Sequence, residues 1–173
     1  MGASERTRNS PRVNLKRLLS VWQTIGPATN YAQVRYRYGA KPPLGAQCAE
    51  VREADCSGFL RWLLHQAGVT VPDGSVNQRQ WVQQQGWRQL AQYSDVRYAA
   101  QDPSRLFMCF LPPRTVRIGR GGVGRKTIPG HVWLVHQGYT IECHSAQRAT
   151  LPRRWNAEAL NRPDTVAYEV PVE

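Results

Sequence analysis

Asp55-Cys56-Ser57-Gly58-Phe59-Leu60-Arg61-Trp62-Leu63-Leu64-His65-Gln66-Ala67-Gly68 is the stretch on which the fold reading turns. Asp is a preferred helix N-cap. Phe59, Leu60, Leu63, Leu64 and Ala67 then recur at helical spacing, and Gly68 stands where a capping glycine ends a helix. This places Cys56 in the first turn. Unpaired backbone N–H groups and the helix dipole favour a thiolate there over a thiol, and the thiolate is the nucleophilic form. A small buried cysteine is the commoner fate of that residue, so the position acquires chemical meaning only with a base beside it.

The chain has four histidines, His65, His131, His136 and His144. His131 opens the run His131-Val-Trp-Leu-Val after Pro129-Gly130, and His144 ends the run Tyr139-Thr-Ile-Glu-Cys-His. Gln137-Gly138 lies midway, so a hairpin turning there sets His131 and His144 at the same end of neighbouring strands. One ring can then orient the other, as the third member of a catalytic triad does. His65 falls late in the helix, where a cation suits the dipole, and His136 falls on the opposite strand face from His131 by parity; both read as structural.

Outward from this pair, Leu15, Leu18, Leu19, Trp22 and Ile25 predict a helix stopped by Gly26-Pro27, and Val76 to Trp87 predict a weaker, Gln-rich one. Pro42-Pro43, Gly39 and Gly45 mark loop between Tyr31 and Ala54. Leu106–Leu111, His131–His136, Tyr139–Cys143 and Val166–Val172 read as strands. Helices first and strands later predict an α+β fold, N-terminal helices packed on an antiparallel sheet. Residues 1–12 read as a flexible basic arm, and 13–173 as a single domain. Within it, 111–130 carries five basic residues and no acid, and reads as an exposed Arg/Gly-rich loop insertion.

Length and charge narrow the function classes. A chain of 173 residues can bury a real core without staples. No apolar run approaches the roughly 18 residues of a membrane helix, and the polar start shows no signal-peptide core. The net charge of +11, carried by twenty Arg and three Lys, favours an anionic partner. Cys48, Cys56, Cys109 and Cys143 include no Cys-x-x-Cys, so zinc ribbons and thioredoxin-type sites have no support. Glu142, Cys143 and His144 alternate across a strand, so with Cys109 and His131 they make a poor metal set. Gly119-x-Gly121-x-x-Gly124 leads into Pro129-Gly130 and not into a helix, which excludes a dinucleotide loop; Arg125 likewise spoils a phosphate loop.

The combination of DCSGF opening a helix, a GHV strand and a histidine thirteen residues later resembles the NlpC/P60 superfamily of cysteine peptidases. The resemblance covers about 36–145. It implies a papain-like α+β fold and hydrolysis of amide bonds in peptidoglycan peptides, without a cofactor or metal. It implies Cys56 as nucleophile, His131 as general base and His144 as the third member. It also implies Tyr36, in Tyr36-Arg-Tyr-Gly-Ala, as an oxyanion or positioning group beside the nucleophile, with Asp55 and Ser57 flanking it. A looser similarity is to cell-wall amidase effectors passed between bacteria. Departures from the pattern are Ala40 for a glycine, a long 41–54 stretch containing Cys48, the absence of a Gly-Asp before the sheet, and Trp133 for a small residue.

The expectation is therefore a monomeric cysteine hydrolase of peptidoglycan. It is made in the cytoplasm and carried to the cell wall by phage lysis or a secretion machine, and its charge draws it to an anionic wall polymer. The alternatives are an acyltransferase on the same fold, and a nucleic-acid-binding module using the Arg/Gly segment. The latter lacks interleaved aromatics.

Overall fold

The computed structural model describes residues 10–26, 34–99, 101–145 and 150–173. Most of the expected basic arm lies outside these residues.

Helix α1 spans Leu15–Ile25. The Asn14 side chain accepts the Arg17 backbone N–H, and Leu15, Leu18, Trp22 and Ile25 form its buried stripe. Strand β1 (Arg35–Tyr36) pairs in parallel with β2 (Glu53–Ala54), with Tyr36 opposite Ala54. Helix α2 (Cys56–Gln66) follows directly, and α3 (Ser75–Gln84) and the short α4 (Val96–Ala99) come next. The remaining strands are β3 (Phe107–Leu111), β4 (Arg114–Ile118), β5 (Gly124–Ile128), β6 (His131–His136), β7 (Tyr139–Ile141) and β8 (Val166–Glu169). An antiparallel four-stranded sheet runs in the order β7-β6-β3-β8. The fold class is the expected α+β.

Alternation along the strands builds two cores. Met108, Phe110, Val132, Leu134, Ile141 and Tyr168 pack with Phe59, Leu60, Leu63 and Leu64 of α2. Full burial of such side chains is worth about 1.5–3 kcal/mol each, which fixes α2 across the sheet. Phe107, Cys109, Trp133, Val135 and Ala167 face the other way, against Tyr93, Val96 and Leu160. β6 and β7 turn tightly through Gln137 and Gly138, both at positive φ (48° and 81°), as a two-residue hairpin requires.

The 111–130 segment departs from the expected loop. Its strands β4 and β5 pair along their whole length, and the register is that of β3 with β6: Leu111 faces His131, and Arg114 faces Ile128. The segment is thus the outer half of one long hairpin. Pro112, Pro113 and Pro129 interrupt it because proline has no N–H to donate to the ladder. His131 sits at the inner edge of that interruption.

Among the described residues, no helix is long and apolar enough to cross a membrane. No group of three or more His, Cys, Asp or Glu side chains among them is placed to hold a metal ion.

Candidate active site

Asp55 organises the start of α2. Its Oδ1 accepts the Gly58 N–H at 2.6 Å and the Ser57 hydroxyl at 3.2 Å, and its Oδ2 accepts the Gly39 N–H at 3.1 Å. One carboxylate therefore caps the helix and holds the 39–41 turn against it. The approach is close enough to demand glycine: a Cβ on residue 58 would lie 2.6 Å from the Ala40 carbonyl oxygen. Gln78, fully buried, donates to the Ser57 carbonyl oxygen at 2.9 Å and braces the same turn. Asp55 and Ser57 thus serve the position of Cys56, and the Ser57 hydroxyl is already committed to Asp55.

Cys56 is 7% exposed, with its Sγ 4.0 Å from the Gly130 carbonyl oxygen. His131 follows Gly130 directly, and the Cys56 sulfur beside that carbonyl is near enough to act on the charge of the imidazole. Its Nε2 meets Glu142 Oε2 at 2.6 Å, which leaves Nδ1 for the sulfur. Trp133 stacks on the imidazole, with ring centroids 5.3 Å apart and planes 20° apart. Trp133 in turn donates from Nε1 to the Tyr93 hydroxyl at 3.3 Å, so the ring beneath His131 is itself held.

Glu142 is the partner of His131 that sequence reasoning did not single out. The β6–β7 register pairs Ile141 with Leu134, so the next residue falls opposite Trp133 and on the face of His131. Its side chain has no solvent exposure, and a buried carboxylate needs partners. Arg153 supplies them in a two-pronged grip, Nε to Oε1 at 2.8 Å and Nη2 to Oε2 at 2.7 Å. Arg153 is delivered by a segment lying along β7. The Thr140 N–H donates to the Arg153 carbonyl, the Arg153 N–H donates to the Thr140 hydroxyl, and the Trp155 N–H donates to the Gly138 carbonyl. His144 lies nearby, 2% exposed, but the ring nitrogen it was expected to hold is taken by Glu142.

The charges support one another. Burial alone would lower the His131 pKa; its interaction with Cys56, its hydrogen bond to the Glu142 carboxylate and the charges of both outweigh it and raise it to about 9. Burial would raise that of Glu142, but Arg153 and His131 bring it down to about 2. His144 moves the other way, lowered chiefly by burial and further by Arg153 and His131, against Glu142. Burial, then the nearby Cys56 and Asp55 charges, raise Tyr36 to about 12, so its hydroxyl stays a donor at neutral pH. Cys143 is raised by burial and donates to the Ala54 carbonyl at 3.4 Å, and Cys109 is raised the same way; neither thiol is poised to react.

These shifts set a stability profile. The raised His131 contributes stability that is complete below pH 6.5 and lost as pH climbs through about 9. The depressed Glu142 contributes stability that is complete above pH 4.5 and lost as pH falls through about 2. The neutral His144 costs stability below pH 6.5, where the unfolded state gains its proton. Thermal unfolding followed by circular dichroism should therefore give a Tm that peaks near pH 6.5 and falls on both sides; a Tm still rising at pH 9 would contradict the assignment.

Two cavities flank the pair. One of about 490 Å³ is lined by Cys56, Asp55, Ser57, Lys41 and Asp73, and one of about 260 Å³ by His131, His144 and three arginines. Tyr36, Pro129 and Gly130 line both. The arrangement is a cleft with a thiol and an imidazole at its waist and a tyrosine beside them. Such a site can attack a carbonyl and protonate a leaving amine.

No family model matches the chain, and no curated protein matches it. Solved structures do match. NlpC1 from Trichomonas vaginalis superposes with a TM-score of 0.50 at 14% identity, over 91% of this chain and 43% of that one. NlpC2 from the same organism gives 0.48 at 13% identity, over 91% and 45%. The P60 domain of an antigen from M. avium subspecies paratuberculosis gives 0.48 at 16%, over 91% and 93%. The chain spans less than half the length of the two Trichomonas structures. The fold is thus the α+β architecture of NlpC/P60 structures. The particular likeness to NlpC1, at its low identity, is one of fold.

Proposed function

We propose that this chain is a cysteine hydrolase that cleaves an amide bond in bacterial peptidoglycan peptides. The observation that carries the reading is the placing of Cys56 beside His131, whose ring is held by Glu142, at the waist of a two-sided cleft. The NlpC/P60-type fold and the +11 charge, suited to an anionic wall, support the substrate class.

The Cys56 sulfur, as thiolate, attacks the carbonyl carbon and forms a C–S bond. The oxyanion is met by the Cys56 backbone N–H and the Tyr36 hydroxyl. Collapse breaks the C–N bond, and His131 passes its Nδ1 proton to the departing amine. His131 then takes a proton from water, which attacks the thioester; the acid leaves and the thiolate is restored. Glu142, clamped by Arg153, holds the His131 ring and balances its charge; in this reading it takes the place that sequence reasoning gave to His144. An amine replacing water at the second step would make the same site an acyltransferase.

Delivery to the wall, by phage lysis or a secretion machine, completes the proposal. Purified peptidoglycan should be digested with the protein and the fragments weighed by mass spectrometry. New fragments, one water heavier in total than their parent and dependent on Cys56, support hydrolysis and identify the bond. Unchanged peptidoglycan, together with steeply salt-dependent binding of nucleic acid that needs Arg117, Arg120 and Arg125, would favour the binding-module reading.

A further inference from the structure

The two halves of the cleft differ in charge. In the larger cavity both signs of charge are present and paired: Lys41 pairs with Asp73, whose other oxygen is buried without a hydrogen bond, and Asp55 is engaged by backbone N–H groups. The smaller cavity is lined by Arg114, Arg153 and Arg162 and, among the described residues, by no carboxylate. Arg153 is neutralised by Glu142. Arg114 has no ion pair among the described residues. Arg162 reaches only Asp164, at 3.7 Å, and its Nε is buried without a hydrogen-bond partner.

His144 adds an independent sign. It lines this cavity at 2% exposure, and among the described residues neither ring nitrogen has a partner at hydrogen-bond geometry, although the Leu151 backbone is near enough to act on the ring's charge. Leaving a buried polar group unmatched costs about 1–3 kcal/mol, and a ligand that completes it recovers that cost. The ring is kept neutral, so it has one N–H to give.

Position decides which part of a substrate arrives here. Cys56 opens on the larger cavity and His131 on the smaller. The acyl carbon must meet the sulfur and the leaving nitrogen must meet the imidazole, so the smaller cavity receives the amine half. Resting on the hydrolase reading above, we infer that this cavity is a subsite for a carboxylate on the amine half of the substrate. Arg114 and Arg162 bind the carboxylate, and His144 donates to one of its oxygens.

The test compares the stem tripeptide L-Ala-γ-D-Glu-L-Lys, ending in a free carboxylate, with its C-terminal carboxamide. A charge-assisted contact of this kind predicts a kcat/KM about 10- to 100-fold higher for the acid. Arg114→Gln and Arg162→Gln should each cut that preference by about tenfold, with Tm reporting that the variants fold. Equal turnover of acid and amide, still dependent on Cys56, would overturn the subsite and leave the hydrolase standing. If neither peptide is turned over, the hydrolase reading is what suffers, and binding decides the subsite. The ¹⁵N signals of the His144 ring in Cys56→Ala protein should move on adding the acid peptide and not the amide, and the response should vanish with Arg114→Gln. No shift with either peptide would overturn the inference.

Discussion

Cys56→Ala should lower amide hydrolysis by on the order of 10⁴-fold or more, because among the described residues no second thiol is placed to take over. Cys143 is buried and bonded to the Ala54 carbonyl, Ser57 donates to Asp55, and Cys109 lies in the opposite core. The fold should survive. The change removes one sulfur from a site formed by Asp55, Gly130 and Tyr36, a loss of about 1 kcal/mol on the scale of one buried methylene. Asp55 still caps the helix through the Gly58 N–H. A second signature separates a chemical role from a structural one. Cys56 is among the groups that raise His131, so the variant's His131 should titrate below the wild-type value of about 9. NMR titration of the imidazole reads this directly. Retained turnover, or an unmoved His131, would remove Cys56 from the proposed mechanism.

The placing of Cys56 at the start of α2 was legible because its determinants are local. Asp55, the apolar spacing of α2 and Gly58 are all within one short stretch, and the close approach of the Ala40 carbonyl gives the glycine its physical reason. The β6–β7 turn was legible for the same reason, since Gln137-Gly138 adopts the positive φ pair that a two-residue hairpin needs. The other end depended on contacts distant in sequence. Parity put both Glu142 and His144 on the face of His131, and only Arg153 decides between them. It makes a buried carboxylate tenable, and it arrives from a segment whose pairing along β7 has no alternating pattern to announce it. The 111–130 hairpin was hidden differently. Its glycines and prolines read as loop, while the alternation in Arg114-Thr-Val-Arg-Ile was the available strand signal, and the register running on from β3–β6 appears only in the fold.

Glu142→Gln should then cost about 10²- to 10⁴-fold in kcat, with a pH signature that distinguishes a positioning role from damage. The glutamine keeps the volume but removes the charge. Arg153 loses its counter-ion, and His131 loses one of the two partners that hold its pKa near 9. With Glu142 neutral, the imidazolium is less favoured, so His131 moves down toward its ordinary 6.5. The imidazolium must protonate the departing amine, so the alkaline limb of kcat against pH should move to lower pH by a unit or more. Stability should respond in the opposite range. The wild-type advantage over Glu142→Gln should be largest above pH 4.5 and shrink as pH falls toward 2, where the native carboxylate also becomes neutral. Glu142→Asp, which retains the charge on a shorter arm, should restore the alkaline limb more than the rate. His144→Gln should leave that limb in place, because it is Glu142 that occupies the His131 ring nitrogen. A limb that moves with His144 and not with Glu142 would return the third position to the histidine.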